Sequence, residues 1–441
     1  MNRTVLLAVS LALASVLPFV RAQSQDGIVL QENFAPGYTY RVKSSTKING
    51  SLSVPGEKGK PPRQLGVNGF STIDFDERIL DSKEKKLDRT VRFYRKLEFN
   101  RTVDSQEQKS SLRPEASRLV IMRHQQVEVP FSPSVPLMWG EIDLVRTDVF
   151  SPALVGLFPT TPVAAKATWQ AQLGAVQELT DLERIEKGGI TCYLHGVIEH
   201  GGRRFAQVSF SGDVQGLGED GPCRHTFQGY FYFDVEGKFL SQVSLKGTQY
   251  MLDKNGQVVG KVDGSFDLAR QPASSTELSD GALAGLNLQP NDENTQLLFD
   301  STDLGVKFLY PRRWRVSMAN PQGKQITLDE QRGSGLLITL DSRTKLPDIA
   351  KFQAETHDWL TKVKARILSK SSPKLVSNSP PMENFAVQVE MDKQAMVLDY
   401  YIVRQANGGA LFAARFMPQD WQSLQKDVQS IARSILFTRP Q

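Results

Sequence analysis

The sequence predicts a mainly β protein with an α+β C-terminal third, a large antiparallel β domain followed by a smaller layer of strands and helices. Three observations carry this reading. From about Gly27 to Arg270, apolar and polar residues alternate with period two and turn residues recur at short intervals. Residues 271–296 lose large apolar side chains and gain Pro, Gly, Ser and Asn, the composition of a linker. Beyond residue 297, short strand patterns give way twice to a 3.6-residue apolar period.

In chain order, residues 1–22 read as a signal peptide. Arg3 supplies a positive start, Thr4–Val20 are almost wholly apolar, and Val20-Arg21-Ala22 places small or aliphatic residues where a signal peptidase cuts. The apolar run of about 17 residues sits at the lower limit for spanning a bilayer, so a cleaved leader and a secreted or periplasmic product are expected. Residues 23–270 form the β-rich domain. Tyr38–Ile48, Phe70–Ile79, Thr90–Asp104 and Leu119–Val129 are strand candidates, Glu178–Glu186 suits a strand or a helix, and a five-stranded meander is expected from about Ile190 to Ala269. Its turns fall at Gly201-Gly202, Glu236-Gly237 and Asn255-Gly256. In the last strand Val258, Val262, Phe266 and Leu268 face one way, with Lys261, Asp263, Ser265 and Asp267 opposite, as when one sheet face is buried and one wet. Gly260 and Gly264 lie on the apolar face, where a missing side chain leaves room for close packing or, in a strongly curved sheet, a concavity.

Residues 297–441 form the α+β unit. Four strands are expected between Leu304 and Leu340, then a helix to about Arg366 with Ile349, Phe352, Thr356, Trp359, Leu360 and Val363 on one stripe. Three more strands precede a closing helix carrying Trp421, Leu424, Val428, Ile431, Ile435 and Leu436 on one stripe. The block from Asp303 to Val316, with Tyr310-Pro311-Arg312-Arg313-Trp314 at its turn, resembles the opening of the Mog1/PsbP-like fold. Ile431–Phe437 is similar to that family's last helix running into a short strand. The resemblance covers about a third of the chain and implies an α/β/α sandwich in a scaffold or interaction role, with no particular reaction. More loosely, Gly229–Asp234 with Gly247 and Gly264-Ser265-Phe266 resembles uncharacterised secreted β proteins of bacteria, planctomycete-like, which implies an extracytoplasmic setting.

The formal charge of +5 falls when the leader takes Arg3 and Arg21 with it, and basic residues are interleaved with acidic ones, so nucleic acid is not expected as a partner. The two cysteines, Cys192 and Cys223, are expected to form a disulfide in an oxidising compartment, closing a loop of about 30 residues and contributing about 3–4 kcal/mol. Buried thiols are the alternative. His195, His200 and His225 lie near both cysteines in sequence, making Cys192, Cys223 and His225 candidate zinc ligands, although the spacing fits no standard finger and parity puts Cys192 and His195 on opposite faces. Phosphate-cradling, dinucleotide and His-Glu-x-x-His motifs are absent, and no Ser sits in a nucleophile elbow. Asp74, Asp76 and Glu77, or Glu141 with Asp143, read as surface charge in preference to a glycosidase pair. The strip Val129–Trp139, with Pro130, Phe131, Pro133, Pro136 and Trp139, suits an extended docking strip or a crossover packed between sheets.

The expected function is therefore that of a secreted or periplasmic, non-enzymatic binding or assembly protein without a cofactor, whose partner is a protein or cell-envelope component. The rival readings are a carrier holding a lipid or other apolar ligand in a curved-sheet cavity, and an unrecognised hydrolase.

Overall fold

In the computed structural model, which describes residues 27–54, 63–83, 86–124 and 127–439, the N-terminal part is one sheet of twelve antiparallel strands. They are β1 (Thr39–Val54), β2 (Arg63–Lys83), β3 (Lys86–Val103), β4 (Gln106–Ser111), β5 (Arg118–His124), β6 (Val127–Phe131), β7 (Thr168–Gln170), β8 (Arg184–His200), β9 (Arg203–Gly218), β10 (Gly221–Asp234), β11 (Phe239–Leu252) and β12 (Val258–Pro272). The spatial order is β6-β5-β3-β2-β1-β12-β11-β10-β9-β8-β7, with β4 on β3, so the expected meander is β8 to β12. It joins the first half of the sheet through β1, which pairs with β2 on one side and β12 on the other.

Alternation decides which face is buried. Val42, Ile73, Phe75, Leu194, Val208, Phe231, Val243 and Leu268 turn inward, and most of the intervening positions are charged, polar or aromatic. The segment between β6 and β8 covers that inner face. It contributes α1 (Trp139–Val145), a 3₁₀ stretch (Ser151–Leu157) and α2 (Leu173–Thr180), whose Ile142, Val145, Leu154, Leu157 and Val176 enter the same core. Phe158 stacks edge-on to Phe233 at 5.2 Å, and the Trp169 indole donates to the Leu157 carbonyl at 2.8 Å. Glu178–Glu186 thus splits: α2 ends at Thr180, Asp181 turns in the left-handed region, and β8 begins at Arg184. Farther along the strands, Gly212 and Gly247 flank Phe227 on both sides. A Cβ at Gly212 would lie 2.5 Å from the Phe227 ring, so only glycine admits this cross-strand packing. At Gly264 a Cβ would meet nothing nearer than 3.6 Å.

The segment expected to be a linker lies on the outer face of the first half of the sheet. It carries α3 (Asp280–Leu283), and its Leu278 and Leu283 pack on Val91, Val120 and Phe131.

The C-terminal part is the α+β unit. β13 (Leu297–Ser301), β14 (Val306–Tyr310) and the terminal β23 (Leu436–Phe437) form a small sheet. A larger one has the order β15-β16-β17-β22-β21-β20-β18 with β19 on β20, where β15 is Trp314–Asn320, β16 Gln325–Glu330, β17 Gly335–Asp341, β18 Arg366–Lys370, β19 Lys374–Asn378, β20 Pro381–Met391, β21 Gln394–Gln405 and β22 Gly408–Phe416. Its two faces carry different helices. α4 (Ile349–Lys362) packs Ile349 and Leu360 against Phe385, Tyr400 and Ile402, while α5 (Trp421–Ser434) buries Leu424, Val428 and Ile431 in the core that holds Tyr401, Val403 and Phe412. The turn at Pro311 delivers Trp314 into the interior, where its indole donates to Asp427 at 2.8 Å. One expectation for α4 is corrected. Trp359 and Val363 are 49% and 43% exposed, because the helix meets the sheet along the narrower line through Ile349, Thr356 and Leu360. No helix among the described residues is long and apolar enough to cross a membrane.

Candidate functional site

Cys192 and Cys223 are both free and buried, which corrects the expected disulfide. Both side chains point inward, but from β8 and β10, and the register places Cys192 opposite Phe210 and Phe210 opposite Gly229. Cys223 therefore lies six residues farther along, about 20 Å at strand rise, whereas a disulfide needs Cα atoms about 4.4–6.8 Å apart. The same separation divides the candidate zinc ligands. Cys223 Sγ is 3.6 Å from His225 Nε2, Cys192 faces the Leu157 carbonyl, and His195 lies on the outer face beside Ser209. Among the described residues no three His, Cys, Asp or Glu groups converge as a metal site. Burial pushes the Cys192 thiol up to about 12 and the His225 imidazole down to about 4. A thiol reagent should accordingly find no reactive cysteine in the native protein and two after denaturation without reductant. A single count of zero in denaturant would restore the disulfide.

The strip Pro130–Trp139 is the seam between the two parts of the chain. The Pro130 carbonyl accepts from Arg312, Leu137 pairs with Leu297 in parallel, the Arg315 guanidinium lies 4.9 Å from the Trp139 ring centre, and the Pro136 carbonyl accepts from Arg113 at 2.8 Å. Phe131 is buried and Pro133, Pro136 and Trp139 are half-buried.

Asp76, Glu77 and Glu141, read from sequence as surface charge, are instead internal, whereas Asp143 is exposed. Glu77 and Arg92 are fully buried; Arg92 Nε donates to Glu77 at 2.8 Å and its Nη1 to Asp148 at 2.8 Å. Glu77 also accepts from Tyr40 at 2.5 Å and Thr90 at 2.7 Å. Arg123 donates to Glu178 at 2.6 Å and lies 3.8 Å from Glu128. Two cations thus face four carboxylates, and burial raises Asp148 and Glu178 to about 7. Glu141 pairs with Arg113 at 2.7 Å, and Asp76 with Arg95 at 2.5 Å. All of these groups are committed to one another.

Another opening lies at the rim where β8, β9 and β12 meet the entering chain. It is a cleft of about 1150 Å³ between the segment Gly27–Tyr38 and the loop Val163–Ala165. The two walls are stitched together by Ile28 and Val163, which exchange backbone hydrogen bonds of 2.7 and 3.0 Å. Ile28, Val29, Val163, Val197 and Val235 give the cleft an apolar lining, and Arg204 and Lys238 stand at its edge with no ion pair among the described residues. Glu32 closes the inner end. It accepts from Arg270 and from the Leu240 N–H at 3.1 Å, and burial raises its pKa. Arg270 is itself held between Tyr40 and Phe34, with its guanidinium 4.8 and 5.1 Å from their ring centres. Glu32 Oε1 and Arg270 Nη1 are buried with no hydrogen-bond partner among the described residues. The lining holds no Ser, Thr, Cys or His. Sequence reasoning missed this site because its walls come from five separated segments, each unremarkable alone.

No family model and no curated protein sequence matches the chain. Among solved structures, the Ran-binding protein Mog1p of Saccharomyces cerevisiae is similar over 33% of this chain and 96% of its own, at 9% identity and a TM-score of 0.25. The PsbP protein CyanoP of Synechocystis is similar over 32% of this chain and 92% of its own, at 12% identity and a TM-score of 0.24. The translocator domain of the autotransporter NalP of Neisseria meningitidis aligns over 88% of both chains at 9% identity, with a TM-score of 0.11.

Proposed function

We propose that this is an exported, non-enzymatic binding protein whose ligand is an amphiphile with an apolar body and an anionic head, seated in the rim cleft. The observation that carries the reading is the combination within one cleft of about 1150 Å³ of a valine and isoleucine lining with two unpaired cations, Arg204 and Lys238. The apolar wall supplies affinity by area removed from water, and the cations select the charge of the head group. Glu32 is neutralised by Arg270 and does not oppose an anion. The inner face of the sheet is occupied by α1, the 3₁₀ stretch and α2, so the seat proposed is at the rim and not within the curve.

The test is fluorescence titration with 1-anilinonaphthalene-8-sulfonate, followed by displacement with dodecanoate. Saturable enhancement, displaced by dodecanoate and weakened about tenfold in an Arg204→Glu, Lys238→Glu variant, is the expected result, a change of about 1.4 kcal/mol. An unsaturable signal, or one that the charge reversal leaves unchanged, would overturn the assignment.

A further inference from the structure

The outer face of the meander carries a second site. Most of that face is charged, with Arg224 bonded to Asp213 at 2.8 Å and Lys261 3.3 Å from Asp263. Across β7 to β11 the charges give way to neutral polar and aromatic side chains. The strand register sets them in two rows. One runs Thr168, Tyr193, Ser209, Tyr230, Ser244, and the other Gln170, Thr191, Ser211, Gln228, Lys246. Between them lies a depression of about 520 Å³ whose only charged lining residue among those described is Lys246.

The rows are organised for a ligand that is flat on one side and hydroxylated at its edges. Tyr193 and Tyr230 stand two strands apart, about 10 Å, with Ser209 between them. Tyr193 is set edge-on to His195 at 4.8 Å and Tyr230 edge-on to Tyr232 at 5.4 Å, which fixes both rings while leaving Tyr230 39% exposed. His195 Nε2 in turn bonds Ser209 at 2.9 Å, and Gln170 donates to Thr191 at 2.9 Å. The Tyr193 and Tyr230 hydroxyls, Ser211 Oγ and the Gln228 amide make no side-chain hydrogen bond to another described residue, so their donors and acceptors face outward. An aromatic ring stacks on the C–H face of a pyranose, and hydroxyl and amide groups at the ring's margin pair with sugar hydroxyls. Anionic polymers are poorly served by a surface with one lysine, and an apolar peptide by one lined with Ser, Thr and Gln.

We infer that this outer face, centred on Tyr193 and Tyr230, is a binding platform for a neutral polysaccharide, with one sugar ring on each tyrosine. The site is separate from the rim cleft and does not depend on it. Affinity electrophoresis of the full chain in gels containing hydroxyethyl cellulose, xylan or laminarin tests it directly. At least one polymer should retard the protein, and Tyr193→Ala and Tyr230→Ala should each weaken that retardation about three- to tenfold. Tyr230 is exposed and Tyr193 half-buried, so each variant's unfolding midpoint is measured beside its binding, and loss of retardation by a folded variant identifies the rings as contacts. No retardation in any of the three gels would overturn the proposal, as would equal retardation of wild type and variants. Binding of a polyproline peptide in place of the polymers would reassign the face to a peptide strand and likewise sink the inference.

Discussion

Arg92→Met should destabilise the protein by about 3–5 kcal/mol, the cost of leaving buried charge without its partner. Arg92 is fully buried, bonds Glu77 and Asp148 at 2.8 Å each, and lies 4.7 Å from the Phe75 ring centre. Methionine would fill most of the volume and keep contact with Phe75, so the loss reports electrostatics more than packing. Glu77 would retain Tyr40 and Thr90 as donors, but Asp148 would keep only Tyr94 and the Val149 N–H. Denaturant unfolding measures the loss, and the double variant Arg92→Met, Glu77→Gln should recover part of it by removing one of the stranded charges. A cost below about 1 kcal/mol would place this network among ordinary surface pairs.

The same network should make the protein less stable at pH 8 than at pH 5. Asp148 and Glu178 titrate at about 7 in the folded chain because burial penalises their charged forms and each shares one arginine with a second carboxylate. The unfolded carboxyls titrate near 4, so between about pH 4 and pH 7 the folded state binds more protons than the unfolded one. Stability therefore falls as pH rises through that window and levels off above it. The two groups together should lower it by roughly 5 kcal/mol between pH 5 and pH 8. Asn and Gln mimic the protonated acids, so Asp148→Asn with Glu178→Gln should flatten the slope and leave the variant more stable than wild type at pH 8. Unfolding free energies across pH 4.5–8.5 decide the point (about half a unit per step suffices). A slope unchanged by the double substitution would assign it to other groups.

The meander was legible because one face of each strand meets water, so alternation and turn residues mark β8 to β12 directly. The C-terminal unit was legible for a similar reason, with its strands short and its helices amphipathic. What the inner face holds was not. Between Trp139 and Thr180 no element is expected from the sequence, since α1 and α2 are seven and eight residues long, too short to show a period. Glu77 reads as surface because isolated charges almost always are, and only the register that places Arg92 opposite Glu77 reveals the pair. The cysteines share a face, as parity implied, yet face alone says nothing of distance along the strand. Of the two proposed surfaces, neither the cleft nor the tyrosine rows had a local signature. Each is assembled by pairing between strands far apart in sequence.

The pairing of β1 with both β2 and β12 has a consequence for the order of events during synthesis. Tyr40 lies opposite Pro272, so the central seam of the sheet joins residues separated by more than half the chain. A growing chain can form the β8 to β12 meander or the β1 to β3 ribbon locally, but it cannot join them until Pro272 has left the ribosome. Closing that seam is the slow, high-entropy step, and until then two unpaired strand edges are exposed. The N-terminal sheet should fold as a late, all-or-none event, while the C-terminal unit, whose strand pairings apart from the Leu137–Leu297 bridge lie within residues 297–437, can form most of its structure within itself.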